Sequence, residues 1–363
     1  MSQKPLLTFS SSKIHIVRHR FAWPLGAVVL ASALLSMPTS ALAWGTHAHA
    51  MIGRVAAQSF PHAMPEFVRT AAAVDEISEL GPEEDRLKGS GTSWDADNDP
   101  GHYLNLGDNG EVAGVALNAL PKSMQAYARA LAPSHATPWS VGYLPYSILD
   151  GFEQLRTDFA IWRVDDYAMH HAATAPLRAE FAADRNLRQD LTLRDIGVWS
   201  HFVEDGSQPL HVTTHFNGWG NYPNPRGYTQ APIHSEFEID FVDRYLSLAA
   251  IRRHMPADHI PAPAKLLSQH DLASLVASYL AGTNAAVTPL YSIAGPSGAG
   301  FKHYSAKAVA FTAVQLARGA AELRDLTNLA WQDSLYVKTG YPYRSVRAIL
   351  QGKVPLTASL LDR

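Results

Sequence analysis

The chain has 363 residues, 47% of them hydrophobic, with 33 acidic against 30 basic side chains and no cysteine. That length allows one large domain or two small ones with a substantial core. A formal net charge of -3 gives no bulk basic field for attracting nucleic acid, although it leaves a local patch open, and the lack of cysteine excludes disulfide cross-links and a thiol nucleophile.

Residues 1–43 predict a secretory leader. Lys13, Arg18 and Arg20 precede an apolar run from Leu25 to Leu35, and Ala41-Leu42-Ala43 supplies an A-x-A cleavage site. The run is short of the roughly 20 residues that a membrane-spanning helix needs, so cleavage before Trp44 is favoured over an uncleaved anchor. The protein is then expected to be exported, either periplasmic or secreted, and bound metal would supply the cross-linking that exported proteins often draw from disulfides.

Residues 44–363 predict one mainly α domain. Ile52, Val55, Ala56 and Phe60 recur at helical spacing, as do Ile148, Phe152, Leu155 and Phe159, and then Phe237, Phe241, Tyr245 and Leu248. Ser305 to Tyr336 is a long apolar-periodic segment with Gly319 as a candidate break. Strand signals are few, and turn-rich stretches at 81–110 and 216–232 adjoin the polar candidates.

Those candidates concentrate in two runs, His201-Phe-Val-Glu-Asp205-Gly-Ser-Gln-Pro-Leu-His211 and His234-Ser-Glu-Phe-Glu238. His201 with Asp205, and His234 with Glu238, are spaced i,i+4 on one helical face, and His211 follows a Gly206/Pro209 break. Two such helices facing one another would present nitrogen and carboxylate ligands to a common cavity. His62, His135, His170, His171, His254, His259, His270 and His303 fall in no motif and read as structural or surface groups. His215, at i+4 from His211, reads as a neighbour of the site or a surface residue.

Together with Trp44-Gly-Thr-His-Ala-His49 and His102-Tyr103, these runs resemble the zinc-dependent phospholipase C and single-strand-specific nuclease superfamily over most of residues 44–363. The resemblance implies a mainly helical fold around three zinc ions in a surface cleft. One ion would be held by Asp85, His102, His201 and Asp205, a second by His211, His234 and Glu238, and the third by Trp44, His49 and Asp205. Trp44 would bind through its freed α-amine and carbonyl oxygen, so leader removal would itself complete the site, and Asp205 would bridge two ions. His49 fits the family's Trp-Gly-x-x-x-His opening better than His47. Asp85 is placed ahead of Asp97 as the early aspartate, with Asp95 and Asp99 completing an acidic loop that also reads as a calcium site or a solvated turn.

Zinc lowers the pKa of bound water from about 16 to about 7, and paired ions steady the attacking and leaving oxygens of an in-line displacement. The implied reaction is therefore phosphodiester hydrolysis by a metal hydroxide, with Asp85 orienting the water or accepting its proton. Glu238 as final ligand, and the loop Phe216-Asn-Gly-Trp219-Gly-Asn-Tyr222-Pro, resemble the phospholipase C branch, whereas Trp44-Gly45 close to His49 resembles the nucleases. Phe216, Trp219 and Tyr222 would cage a choline cation, stack a base or simply pack the loop. The favoured expectation is a phospholipase C that releases diacylglycerol and a phosphorylated head group from phosphatidylcholine-type lipids, with transient membrane-surface contact through its own loops. The alternatives are a single-strand-specific nuclease acting on single-stranded nucleic acid and a non-catalytic periplasmic zinc-binding protein. No obligate protein partner is evident.

Overall fold

A computed structural model describes residues 44–361 except 90 and 259; the expected leader lies outside the described residues. The helices begin with α1 (Thr46–Gln58), α2 (Ala71–Leu80), α3 (Glu83–Leu87), α4 (Ser93–Asn98), α5 (Met124–Leu131) and α6 (Pro138–Val141). The long pair α7 (Leu144–His171) and α8 (Ala175–Asp205) follows, then α9 (Phe241–Tyr245), α10 (Leu248–His254), α11 (Gln269–Asn284), α12 (Val287–Ala294), α13 (Ala306–Asp333) and α14 (Val346–Leu350). Among the described residues, strands are confined to two short antiparallel pairs, β1 (Glu111–Val112) with β2 (Val115–Ala116) and β3 (Lys338–Thr339) with β4 (Arg344–Ser345). The mainly α expectation holds.

Local chemistry explains where the long helices start. Thr174 accepts from Leu177 N ahead of α8, Ser305 accepts from Ala308 N ahead of α13, and Ser268 with Asp271 forms a reciprocal capping box at α11. α7 and α8 pack against each other along their length, and α1, α2 and α13 close over α8. Phe152, Phe159, Phe237, Phe241 and Leu316 lie fully inside this core, each contributing roughly 1.5–3 kcal/mol by leaving water. A smaller cluster of Val164, Ala168, Phe181, Val346 and Ile349 docks α14 onto α7 and α8. No helix among the described residues is long and apolar enough to cross a membrane.

Two local expectations are corrected. Gly319 does not interrupt α13: a Cβ there would meet Ser207 Oγ at 2.7 Å, so the glycine permits a close helix approach rather than a break. The periodic run from Phe237 to Leu248 is not one helix. It consists of a π-helical turn (Glu236–Asp240) and α9, and then extended backbone at Leu246 before Ser247 caps α10 by accepting from Ala250 N. The turn-rich stretch 81–110 also contains α3 and α4.

Candidate metal centre

The end of α8 supplies the first two ligands. His201 and Asp205 project from one face, with His201 Nε2 at 3.4 Å from Asp205 Oδ2, and both side chains are fully buried. The chain leaves the helix at Gly206, where a Cβ would come within 2.5 Å of Tyr279 Cε1. The following one-turn helix (Pro209–His211) brings His211 beside the segment carrying His102. Two hydrogen bonds lock these segments together: Leu104 N donates to His211 O at 2.8 Å, and His211 Nδ1 donates to His102 O at 2.7 Å.

α1 brings in the buried His49, whose Nε2 lies 3.6 Å from Asp205 Oδ1, while His47 is exposed. Asp205 therefore turns one oxygen towards His49 and the other towards His201. Asp85 on α3 reaches the same cluster, with Oδ1 at 3.6 Å from His201 Nε2. Asp97 is exposed on α4, where its carbonyl accepts from Tyr143 Oη. Glu238 lies in the π-helical segment, a feature that recurs at functional sites, and its Oε2 meets His234 Nε2 at 2.8 Å, while His211 Nε2 lies 3.8 Å from the same oxygen. Three groups thus have ligand atoms within 4.8 Å of one another: His49, Asp85 and His201; His102, His201 and Asp205; and His211, His234 and Glu238.

All five histidines of these groups share one orientation. His102, His201, His211 and His234 donate from Nδ1 to the carbonyls of Asp99, Gly81, His102 and Phe216 at 2.7–3.1 Å, and His49 Nδ1 pairs with Glu204 Oε2 at 2.5 Å. Each Nε2 is thereby left as the lone-pair atom, which is how metal-ligating histidines are held.

Electrostatics and polar satisfaction both call for a cation. The Nε2 atoms of His49, His102 and His201 and both oxygens of Asp205 are buried without a hydrogen-bond partner, although buried polar atoms are nearly always paired. Burial holds the His49 and His102 imidazoles well below their ordinary range and pulls His201 down to about 4, so these rings are neutral and ready to ligate at neutral pH. Burial, followed by the neighbouring Asp85 carboxylate, pushes the Asp205 carboxyl well above its usual range, and burial does the same to Glu238. A bound cation would reverse that penalty. Several buried His/Asp/Glu groups can therefore hold metal ions through mixed nitrogen and oxygen donors.

Trp44 is fully buried, 5.3 Å from the Phe237 ring, and its Nε1 donates to Ser207 Oγ at 2.9 Å. The loop aromatics divide. Trp219 is 4% exposed and stacks on His215 at 3.6 Å, whereas Phe216 and Tyr222 are 48% and 46% exposed. His215 stands outside the three groups, its Nδ1 bonded to Trp219 O and its Nε2 to Asp108.

Three partners were not anticipated from the sequence. Lys88 Nζ pairs with Asp85 Oδ1 at 2.7 Å; Gln208 donates to Glu238 Oε2 at 2.9 Å; Glu204 holds His49. The i,i+3 spacing of Asp85 and Lys88 was a usable signal. Gln208 and Glu204 carried none beyond their place between ligands.

In sequence comparisons, no family profile matches the chain and no curated protein matches it. The superfamily resemblance rests on the spaced ligand motifs alone.

Proposed function

We propose that the chain is an exported zinc-dependent phosphodiester hydrolase with three metal positions, acting on phosphatidylcholine-type phospholipids in the manner of a phospholipase C. The observation that carries this reading is the convergence of five Nε2 atoms and the Asp85, Asp205 and Glu238 carboxylates on one buried cluster in which Asp205 offers its two oxygens in different directions.

Asp85, His102, His201 and Asp205 would hold one ion, His211, His234 and Glu238 a second, and His49 with Asp205 a third, joined by the Trp44 amine once the leader is removed. Zinc, when bound, supplies Lewis acidity and makes water acidic enough to ionise near pH 7. The remaining work falls to side chains. Asp85, the most exposed carboxylate of the set at 9%, orients the attacking water or accepts its proton. Lys88, beside it, adds positive charge for a phosphodiester anion. Gln208 fixes the Glu238 oxygen that faces His211 and His234.

The substrate reading draws on the loop at 216–222. It is tied to a ligand, because Asn217 Oδ1 accepts from His234 N and Phe216 O from His234 Nδ1. Its exposed rings, Phe216 and Tyr222, offer apolar faces to a quaternary ammonium head group or a lipid surface.

The test is to express the chain with its leader, sequence the mature N-terminus, and assay phosphatidylcholine vesicles and single-stranded DNA with and without a chelator. Zinc-dependent release of phosphocholine without strand cleavage, from protein beginning at Trp44, is the expected result. Cleavage of DNA alone would reassign the loop rings to base stacking. Tight zinc with neither activity would favour a non-catalytic zinc protein.

A further inference from the structure

The five histidines of the centre are tethered by two different means. Four donate Nδ1–H to main-chain carbonyls, which every residue type supplies. His49 alone leans on a side chain, Glu204. That carboxyl precedes Asp205 on α8, is fully buried, and leaves Oε1 without a hydrogen-bond partner. Two glycines from different elements border its pocket, and Gly53 borders it tightly. A Cβ at Gly53, one turn beyond His49 on α1, would press within 3.3 Å of Oε1, and one at Gly81, just after α2, would lie 3.6 Å from Oε2. Gly81 also supplies the carbonyl that tethers His201, and the His49 and His201 rings stack at 4.1 Å. Burying a carboxyl here is unfavourable. A purely structural position between two packed helices would be filled more favourably by an apolar side chain.

We infer that Glu204 is a positioning residue: its carboxyl fixes the His49 ring with Nε2 towards Asp205, so that the orientation of His49 depends on a side chain while that of the other four histidines depends on main-chain carbonyls. The inference rests on the metal-centre reading above. Carboxylate partners of ligating histidines are worth roughly 10–100-fold in metal affinity. Losing Glu204 therefore weakens one metal position selectively and leaves the His211, His234 and Glu238 position intact.

The experiment compares wild type, Glu204→Ala and Glu204→Gln after zinc loading, with metal content by mass spectrometry, zinc affinity by chelator competition, folding by circular dichroism, and the visible spectrum of the cobalt-substituted forms. The expected result is a folded Ala variant in which one zinc per chain binds roughly 10–100-fold more weakly and one component of the cobalt spectrum changes. The Gln variant, whose amide oxygen still accepts Nδ1–H, is expected to be partly rescued. Unchanged zinc number, affinity and cobalt spectrum in a folded Ala variant would overturn the inference. If the Ala variant does not fold, nitrogen-15 NMR of histidine-labelled, zinc-loaded wild type decides: His49 carrying its proton on Nδ1 supports the inference, and His49 without a proton there overturns it. A wild type that takes up no zinc at all would instead remove the metal-centre reading, and with it this one.

Discussion

Replacing Asp205 by asparagine should move the stability of the metal-free and metal-loaded protein in opposite directions. Without metal, Asp205 Oδ2 faces His201 Nε2 at 3.4 Å and Oδ1 faces His49 Nε2 at 3.6 Å. Both nitrogens are acceptors, because the protons of these rings are committed on Nδ1 to Gly81 O and Glu204. While the carboxyl is ionised, acceptor therefore meets acceptor twice, and neither oxygen has a hydrogen-bond partner. Burial raises this carboxyl well above its usual range, so the comparison belongs at alkaline pH, where it carries its charge. A buried unsatisfied group costs about 1–3 kcal/mol, and more when it is charged. Asparagine has nearly the same shape and turns one of these oxygens into an N–H donor aimed at a ring nitrogen. At alkaline pH, metal-free Asp205→Asn should therefore be more stable than metal-free wild type by about 1–3 kcal/mol, and the difference should shrink as the pH falls and the carboxyl takes up its own proton. With zinc the order reverses. An ion at a thousand times its Kd stabilises the fold by about 4 kcal/mol, and a neutral residue at the bridging position forfeits most of that for the ions it touches. Calorimetric melting of both proteins, each with zinc and after chelation, gives four midpoints, and about 1 kcal/mol moves Tm by roughly 2 °C in a chain of this size. A metal-free variant melting below metal-free wild type, or zinc raising both midpoints equally, would refute the reasoning.

Other consequences can be checked separately. Glu322 on α13 is pushed up to about 8 by burial and then by Asp325; with an unfolded pKa of roughly 4.5, its favourable contribution is complete below that pH and is lost as pH rises through about 8. Urea midpoints of wild type should therefore fall between pH 5 and pH 8 more steeply than those of Glu322→Gln, and equal slopes would count against this. Gly151→Ala places a Cβ 1.9 Å from Trp199 Cδ1, across the α7–α8 contact. Overpacking of about 1–3 kcal/mol or more outweighs the roughly 1 kcal/mol that alanine gains in a helix, so the thermal midpoint should drop by several degrees, and an unchanged midpoint would show that α7 and α8 can part freely. Lys88→Met removes the ammonium that competes with metal for Asp85. Chelator competition should show zinc held roughly several-fold more tightly, while KM for an anionic phosphodiester rises; weaker zinc binding would show that Lys88 props Asp85 in place instead.

What could be read from the sequence was what local spacing encodes. His201 with Asp205 and His234 with Glu238 share a face because one helical turn separates them, and each pair does meet side chain to side chain. His49 was preferred to His47 only on the resembled Trp-Gly-x-x-x-His opening, and the structure buries His49 on the inward side of α1 while His47 is exposed. Asp85 and Asp97 were harder, because the approach of α3 to α8 is a tertiary fact that no spacing within residues 81–110 contains. Glu204 was invisible for a similar cause: its partner is 155 positions away in sequence, and adjacency to Asp205 gives no hint of which face it takes. Trp219 illustrates the limit for aromatics, since composition does not distinguish a ring stacked on His215 from one standing in solvent like Phe216. The same limit applies to Gly319, whose value lies in what approaches it, Ser207, rather than in its own flexibility.

The carbonyl tethers of the histidines also bear on how such a centre survives sequence drift. The acceptors at Gly81, Asp99, His102 and Phe216 are peptide oxygens, and at Asp99 and Phe216, which are not ligands, a substitution keeps the oxygen while changing everything beyond Cα. Lineages can therefore rewrite the flanking residues freely as long as the main chain keeps its path, and the inherited information shrinks to the ligands and a few glycines. In such a centre the tethering oxygens belong to the path of the main chain, and the side chains beside them stay free for packing or for substrate.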